Sequence, residues 1–334
     1  MPQGGILSPL LFSIFINHIT ENLQCAYHLY ADDLQLYAQA SVENVSCAVS
    51  AINSDLAYLS TWCESFGLKV NPNKCQAIIV GSLRTLSKLD TTTLPPVSFD
   101  GLAIKYCPVV KDLGLQIDSS LNWRAQVSYI SQKVTGTLRV LYRLKNFLPS
   151  KTKTMLVQSL IFPLIDYGDV CCFDLNADLL NKLDRLLNNC IRFIFNLRKY
   201  DHVSLYRSQL NWLPIRKRRN MRALTTLYSI LTSPNSPYYL TSQFQYLYST
   251  HNKNLRSSNN LLLMCPLHSS DFIHSSFPIQ SILLWNALPL EIRTSTNRFA
   301  FKTKVRQLLF EELAGHLSHN RSRFKYVIII YLFM

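Results

Sequence analysis

Two adjacent carboxylates, Asp32 and Asp33, are the residues whose type and spacing could do chemistry. They lie between two apolar runs rich in Tyr and Leu, 26–30 and 34–38, whose polar boundaries predict the strands of a β-hairpin. Because neighbouring side chains of a strand point to opposite faces, both carboxylates can face one site only at the bend. Paired carboxylates repel unless a cation compensates, and Mg²⁺ prefers such oxygen ligands. The pattern indicates a metal-binding turn for phosphoryl transfer.

An Asp-Asp pair has a simpler interpretation as well. About one such pair is expected by chance in a chain of this size and average composition. Most of them cap helices or lie on solvated loops. The pair alone therefore leaves both interpretations open, and the surrounding sequence has to decide between them.

Charge is distributed unevenly along the 334 residues, a length that suggests about two domains. Residues 1–100 carry four Lys/Arg and eight Asp/Glu, a net charge of −4, whereas residues 101–334 carry thirty and twelve, a net charge of +18. This asymmetry indicates a metal-binding or catalytic part followed by a part that binds a polyanion, nucleic acid or an anionic membrane surface. A basic excess that only maintains solubility is the simpler alternative. The sequence contains no Gly-rich phosphate-binding loop.

Nine cysteines are present, without a Cys-x-x-Cys pair or a zinc-ligand spacing. We expect reduced, buried thiols in an intracellular protein, since no secretory signal or membrane-spanning segment is apparent. Nuclear and cytoplasmic locations both remain open.

The first third of the chain alternates helices and strands. Ser8 and Pro9 open an apolar helix that we expect to be buried, and a second helix runs from Ser41 to a stop at Gly67. Strands are predicted at 68–70 and 75–80. A hairpin over 97–106 turns at Asp100-Gly101, and one further strand is predicted over 109–117.

Helical periods dominate beyond residue 122, at about 123–146, 151–165, 176–196 and 216–232. A basic run with aromatic residues nearby suits a nucleic-acid backbone and unstacked bases. A solvated helix face is the alternative, although so many close cations repel one another without a polyanion. The candidate nucleic-acid contacts are Arg139, Arg143, Lys145, Arg216, Lys217, Arg218, Arg219 and Arg222.

Five ordered segments together carry a family resemblance. The segments 2–12 and 30–33 resemble the palm of a reverse transcriptase from a non-LTR retrotransposon of the jockey or chicken-repeat kind. The segment 67–74 resembles the next palm motif, and Leu113-Gly114-Leu115 resembles the primer-grip strand. Trp285-Asn286-Ala287-Leu288-Pro289 with Ile292-Arg293 resembles the far C-terminal region of such elements.

The resemblance implies roles for individual residues in RNA-directed DNA synthesis from RNA template, DNA primer and deoxynucleoside triphosphates. Asp32 would ligate Mg²⁺ (Mn²⁺ is an alternative), with Asp33 beside it. Gln3 and Gly4 would lie under the template and nucleotide, Lys74 would be a general acid, and residues 113–115 would hold the primer. In the implied two-metal scheme, ions about 3.5–4 Å apart activate the primer hydroxyl and stabilise the leaving oxygens.

The implied fold is α+β: a partial palm with an antiparallel sheet and packed helices over 1–121, then a helical thumb-like region over 122–232. A loop-rich C-terminal region with a closing basic helix follows over 233–334. The family's palm has another metal-binding Asp upstream of the Gln-Gly turn, so we expect a truncated element copy that does not polymerise by itself. A non-catalytic RNA- or DNA-binding protein and a translated, non-functional remnant are the alternatives.

Overall fold

A computed structural model describes residues 5–90, 93–250, 260–268 and 270–318. The chain divides into two compact units, residues 1–126 and 127–334. Helices and small antiparallel sheets make up the structure, which confirms the α+β class. The first predicted boundary, at 121/122, lies close to the border between the units, and the second, at 232/233, lies inside the second unit. The three-region division remains a prediction.

The first unit contains three antiparallel hairpins, each with a two-residue loop. The predicted Asp-Asp hairpin and the Asp100-Gly101 hairpin both form. The strands are β1 (Ala26–Tyr30), β2 (Asp33–Tyr37), β3 (Val97–Phe99), β4 (Leu102–Ile104), β5 (Val109–Asp112) and β6 (Leu115–Asp118).

The third hairpin corrects the prediction of one strand over 109–117. Leu113 and Gly114 both have positive φ, 42° and 89°, as a type I′ turn requires. The chain reverses there, and Asp112 pairs with Leu115. The turn was not predicted because leucine rarely occupies a turn position. The single glycine was therefore interpreted as part of a continuous strand.

The helices of the first unit are α1 (Ser8–Asn17), α2 (Val45–Ser65) and α3 (Leu83–Leu86). α2 follows a 3₁₀ turn at Val42–Asn44 and ends before Gly67, whose φ of 65° suits glycine. Trp62 and Leu59 of α2 form a hydrophobic cluster with Ile16 and Phe99.

Two predictions for this unit were wrong. The helix α1 is largely exposed rather than buried: Ile16 is its one buried residue, while Leu10 and Ile14 are exposed. The strands predicted at 68–70 and 75–80 do not form; a 3₁₀ turn at Pro72–Lys74 and a single bridge from Ala77 to Tyr106 take their place. Apolar composition favoured strands, but pairing partners decide whether they form.

The second unit is helical, and its four longest predicted segments correspond to α4, to α5 with α6, to α7 and to α9. Its helices are α4 (Arg124–Arg143, which begins in the first unit), α5 (Ser150–Leu160), α6 (Phe162–Asp166), α7 (Ala177–Phe195), α8 (Ser204–Gln209), α9 (Ile215–Thr232), α10 (Tyr238–Thr241), α11 (Leu247–Thr250), α12 (Asp271–Ser275), α13 (Phe277–Asn286), α14 (Leu290–Arg293) and α15 (Arg298–Ser318).

One hydrophobic cluster joins α9 to the C-terminal helices. Leu224 and Tyr228 of α9 share it with Trp285 of α13 and with Phe301 and Val305 of α15. The four-residue spacing of Phe301 and Val305 places both on one face of α15. The motif around Trp285 is therefore a packing element. Among the described residues, no helix is both long and apolar enough to cross a membrane.

Candidate active site and basic surfaces

The two carboxylates lie at the tip of the first hairpin. Ala31 and Asp32 form its loop, and Asp33 is the first residue of β2, paired with Tyr30. Leu34 and Leu36 pack against the hydrophobic cluster of the first unit, so the strand alternation turns Asp33 and Gln35 to the other face. Both aspartates are exposed. The prediction that the pair lies at the bend of a hairpin is confirmed.

The base of this hairpin is attached to α2 by Asp55, which is only 2% exposed. Its Oδ1 accepts a hydrogen bond from the backbone N–H of Gln24 (3.0 Å), and its Oδ2 accepts one from Cys25 (2.8 Å). Burial raises the pKa of Asp55, but these hydrogen bonds outweigh it and hold the pKa below its ordinary value. Since β1 begins at the next residue, Asp55 positions the strand that leads to Asp32.

A third carboxylate lies on the neighbouring hairpin. Asp112, the last residue of β5, accepts a hydrogen bond from the side chain of Gln35. Burial and the negative charge of Asp33 raise the pKa of Asp112, and His28 opposes them. The two hairpins are therefore coupled through a hydrogen bond and through the charge of Asp33.

The donor set at the hairpin tip fits a hard divalent cation in part. Mg²⁺ is commonly held by one or two carboxylates together with substrate phosphates, and Asp32 and Asp33 supply two exposed carboxylates. Within the described ranges, no group of three or more His, Cys, Asp or Glu side chains could hold a metal ion. The tip therefore offers two carboxylate oxygen donors of the kind that Mg²⁺ accepts.

The remaining candidate residues of the first unit are spread over several elements. Lys74 is exposed at the end of the 3₁₀ turn Pro72–Lys74. Leu113 and Gly114 form the loop of the third hairpin, and Leu115 begins β6. Gln3 and Gly4 lie outside the described residues. The roles of these residues remain predictions.

The basic run of α9 is used mostly inside the protein. Arg218 forms an ion pair with Asp166 and lies over the ring of Phe162, 4.1 Å from the ring centroid. Arg222 bonds to Asp169 through Nε (2.7 Å), and Lys217 pairs with Glu312 of α15.

Arg219 is 5% exposed and donates through Nη2 to the carbonyl oxygens of Asp169 (2.8 Å) and Cys172. A buried guanidinium that satisfies two carbonyls cannot also reach a phosphate. The repulsion that favoured a polyanion is offset by Asp166, Asp169 and Glu312. Arg216 alone of this run is exposed. The argument for a phosphate-binding α9 therefore fails for Arg219, and contact through Arg216 remains a prediction.

Asp169 is the most buried carboxylate of the network that it forms with Asp166 and the arginines of α9. Burial raises its pKa, although the charges of Arg222 and Arg219 lower it. Its Oδ1 is buried and has no hydrogen-bond partner among the described residues. The network orders α9 against the segment around residues 166–172 rather than presenting charge to a ligand.

The other basic candidates lie at the C-terminal end of α4. Arg139 and Arg143 are exposed, and Lys145 follows with its ammonium 5.6 Å from the ring centroid of Tyr142. Tyr142 in turn packs edge-on against Phe193 of α7. Exposed cations at this end of the second unit are available to a polyanion, so this part of the prediction retains its physical basis.

Two positioning residues were missed in the sequence, Asp55 and Asp118. Asp118 accepts hydrogen bonds from Ser120 N, Asn122 N and Trp123 N, and so orders the turn that precedes α4. A signal for Asp55 existed, because an aspartate among the apolar positions of a core helix needs buried partners. Asp118 sits after an apolar run and resembled an ordinary turn residue. The thiols also differ from expectation: none of the nine, all within the described residues, forms a disulfide, but only Cys25, Cys63, Cys172 and Cys190 are buried.

Comparison with known proteins finds a family match over the first part of the chain. Residues 1–134 match the reverse transcriptase (RNA-dependent DNA polymerase) family. The chain is 26% identical over 226 residues to a probable RNA-directed DNA polymerase from transposon BS of Drosophila melanogaster, covering 63% of this chain and 24% of that protein. It is 24% identical over 179 residues to the RNA-directed DNA polymerase from mobile element jockey of the same organism, covering 50% of this chain and 19% of that protein.

Residues 1–134 are therefore similar in sequence to the reverse transcriptase family. The particular resemblance to the reverse transcriptases of non-LTR retrotransposons is confirmed as well, because one of the relatives is the jockey enzyme. The matches cover about a quarter or less of the length of these relatives.

Proposed function

We propose that this chain contributes the Asp-Asp hairpin, the primer-holding hairpin and a nucleic-acid-binding helical region to an RNA-directed DNA polymerase of a non-LTR retrotransposon. The observation that carries the proposal is the geometry of the tip: two exposed carboxylates on a two-residue loop, on a hairpin anchored by buried Asp55. Residues 1–121 would be part of the palm, and residues 122–232 would be the thumb.

Asp32 and Asp33 would hold Mg²⁺ or Mn²⁺, which when bound supplies charge stabilisation for nucleotidyl transfer in the two-metal scheme. Lys74 would deliver a proton to the leaving group, and residues 113–115 would position the primer terminus. Gln3 and Gly4 would contact the template and the nucleotide. Arg139, Arg143 and Lys145 would contact the backbone of the nucleic acid, whose charge dominates such affinities.

We infer further that this chain by itself does not extend a primer. The described residues provide two carboxylates at the tip and no three-ligand group, so a pair of closely spaced ions would be poorly held. The test is primer extension by the purified chain on an RNA template with Mg²⁺, beside Asp32→Asn. Extension that disappears in Asp32→Asn would overturn the inference of inactivity and support the catalytic role of the hairpin.

A non-catalytic nucleic-acid-binding function is the second candidate, favoured by the net charge of +18 over residues 101–334. RNA binding that persists in EDTA and in Asp32→Ala, but falls steeply with salt, would support it. A chain that aggregates without a cooperative unfolding transition would instead support a non-functional remnant.

A further inference from the structure

A short turn after α7 presents an aromatic ring among cations. Residues 198–202 read Arg-Lys-Tyr-Asp-His, and all five are exposed. Tyr200 is 86% exposed, so its ring adds little to the packing of the fold. The ammonium of Lys199 lies 5.4 Å from the centroid of this ring, over one face of it.

The turn is held in a defined shape by hydrogen bonds. The backbone N–H of Arg198 donates to the Asp201 carboxylate (2.7 Å), and the N–H of Asp201 donates to the carbonyl of Arg198 (3.2 Å). Arg192 of α7 donates to the carbonyl of Asp201 (3.4 Å). The one carboxylate of the turn is thus engaged by the backbone N–H of Arg198, and Lys199 and Tyr200 lie between these two residues.

This turn is continuous with the exposed basic end of the second unit. Asn196, two residues before it, has a left-handed φ of 58° and accepts a hydrogen bond from buried Lys153 (2.9 Å). Lys153 also lies over the ring of Phe193, which packs against Tyr142 near the basic end of α4. Burial and then the charge of Lys145 lower the pKa of Lys153. Cations near a helix C-terminus also offset its dipole, which accounts for Lys153 and Arg192. That explanation gives no reason for an exposed tyrosine.

We propose that Tyr200 stacks on an unpaired base of a single-stranded nucleic acid, with Arg198 and Lys199 contacting the adjoining phosphates. The inference rests on the proposed nucleic-acid-binding function. It adds that the turn recognises single-stranded rather than duplex nucleic acid. An aromatic ring at a tip can stack only on a base whose face is open, and a duplex covers its base faces. Tyrosine combined with cations is the usual composition of such sites, since every base offers a π-face.

The test compares the full-length chain with Tyr200→Ala and Tyr200→Phe. The probes are an unstructured single-stranded oligouridylate carrying one fluorescent base analogue, and an RNA–DNA duplex of equal length. We expect Tyr200→Ala to weaken single-strand binding about 5- to 150-fold, the range for one lost base–aromatic stack. Tyr200→Phe retains the stack and should retain wild-type affinity and quenching of the analogue. Duplex affinity should be unchanged in both variants.

Tyr238 provides the matched control, because it is 84% exposed in the same unit and has no charged residue within three positions. Tyr238→Ala should leave both affinities unchanged, and equal melting temperatures would show that all variants fold. Wild-type affinity in Tyr200→Ala, or an equal loss in Tyr238→Ala, would overturn the stacking role while leaving the nucleic-acid-binding function in place. Absence of binding by the wild-type chain would overturn both.

Discussion

The hairpin tip of the first unit and the basic run of the second unit use dense charge in opposite ways. Asp32 and Asp33 remain exposed at the end of a hairpin whose base is buried. In α9, by contrast, Arg218 and Arg222 are paired with carboxylates, and Arg219 is buried against two carbonyls. The two clusters look alike in sequence, as adjacent like charges beside apolar residues. The first cluster leaves both of its charges exposed, whereas the second leaves only Arg216 fully exposed.

The difference arises from what the chain places opposite each cluster. The segment around residues 166–172 provides Asp166, Asp169 and two carbonyl oxygens to α9, and burying those groups without donors would be costly. The tip of a hairpin has neighbours only on its core-facing side. Charge density therefore indicates a functional site only where the surrounding fold leaves it without internal partners.

The largest expected effect is a difference in stability between variants of two α9 arginines, Arg219 and Arg216, that the sequence does not distinguish. Arg219→Ala should lower the free energy of unfolding by about 3 kcal/mol, because two buried carbonyls lose their donor and a packed side chain is removed. Arg216→Ala should change it by less than about 0.5 kcal/mol, as expected for an exposed side chain. Denaturant unfolding of the full chain measures both.

For nucleic-acid binding we expect the opposite order: Arg216→Ala should have the larger effect and Arg219→Ala the smaller one. Loss of one phosphate contact in Arg216→Ala reduces the salt slope of binding by about 1, whereas folded Arg219→Ala keeps it. Equal stability of the two variants would contradict the assignment of Arg219 to the interior.

Asp55→Asn should destabilise the hairpin base by about 1–3 kcal/mol, since an amide presents an N–H to a backbone donor that needs an acceptor. Hydrogen exchange at the amides of Gln24 and Cys25 measures this directly. Because the pKa of Asp55 is lower when folded than when unfolded, its contribution is present above the unfolded pKa of about 3.9 and is lost as pH falls below it. Asp55→Asn should remove that part of the loss of stability at acid pH. An unchanged dependence of stability on pH would contradict the anchoring role of Asp55.

Ala31→Gly tests the strain in the loop of the Asp-Asp hairpin. Ala31 has a φ of 54°, a region that glycine adopts without steric cost. We expect the substitution to stabilise the first unit by up to about 1 kcal/mol after the entropy of glycine is set against the relieved strain. Ala31→Val should act in the opposite direction, because a β-branched residue is least suited to positive φ. A hairpin destabilised more by glycine than by valine would refute the loop geometry.

The smallest effect concerns the coupling between the two hairpins. The charge of Asp33 helps to raise the pKa of Asp112, so Asp33→Asn should lower the pKa of Asp112 toward its ordinary value. Occupation of the tip by Mg²⁺ should lower it as well, by neutralising the same charge. Carboxyl-carbon NMR of Asp112 follows both shifts, with Asp100 of the second hairpin loop as the reference. If neither Asp33→Asn nor Mg²⁺ shifts the pKa of Asp112, the two hairpins are not coupled through the charge of Asp33.

The sequence by itself determined the Asp-Asp hairpin, the Asp100-Gly101 turn, the long helices and the resemblance to reverse transcriptases. Each of these depends on local information: alternation, turn residues, helical period or an ordered set of motifs. The tertiary structure decided which charges stay exposed, because Arg216 and Arg219 differ only in the helix face on which they lie. It also decided that β5 turns at Leu113-Gly114, that α1 is largely exposed, and that Asp55 anchors the hairpin. The burial of Arg219 and the anchoring by Asp55 depend on partners 30 to 50 residues away, as the bonds of Asp55 to Cys25 and of Arg219 to Asp169 show. No local pattern specifies a partner at that distance.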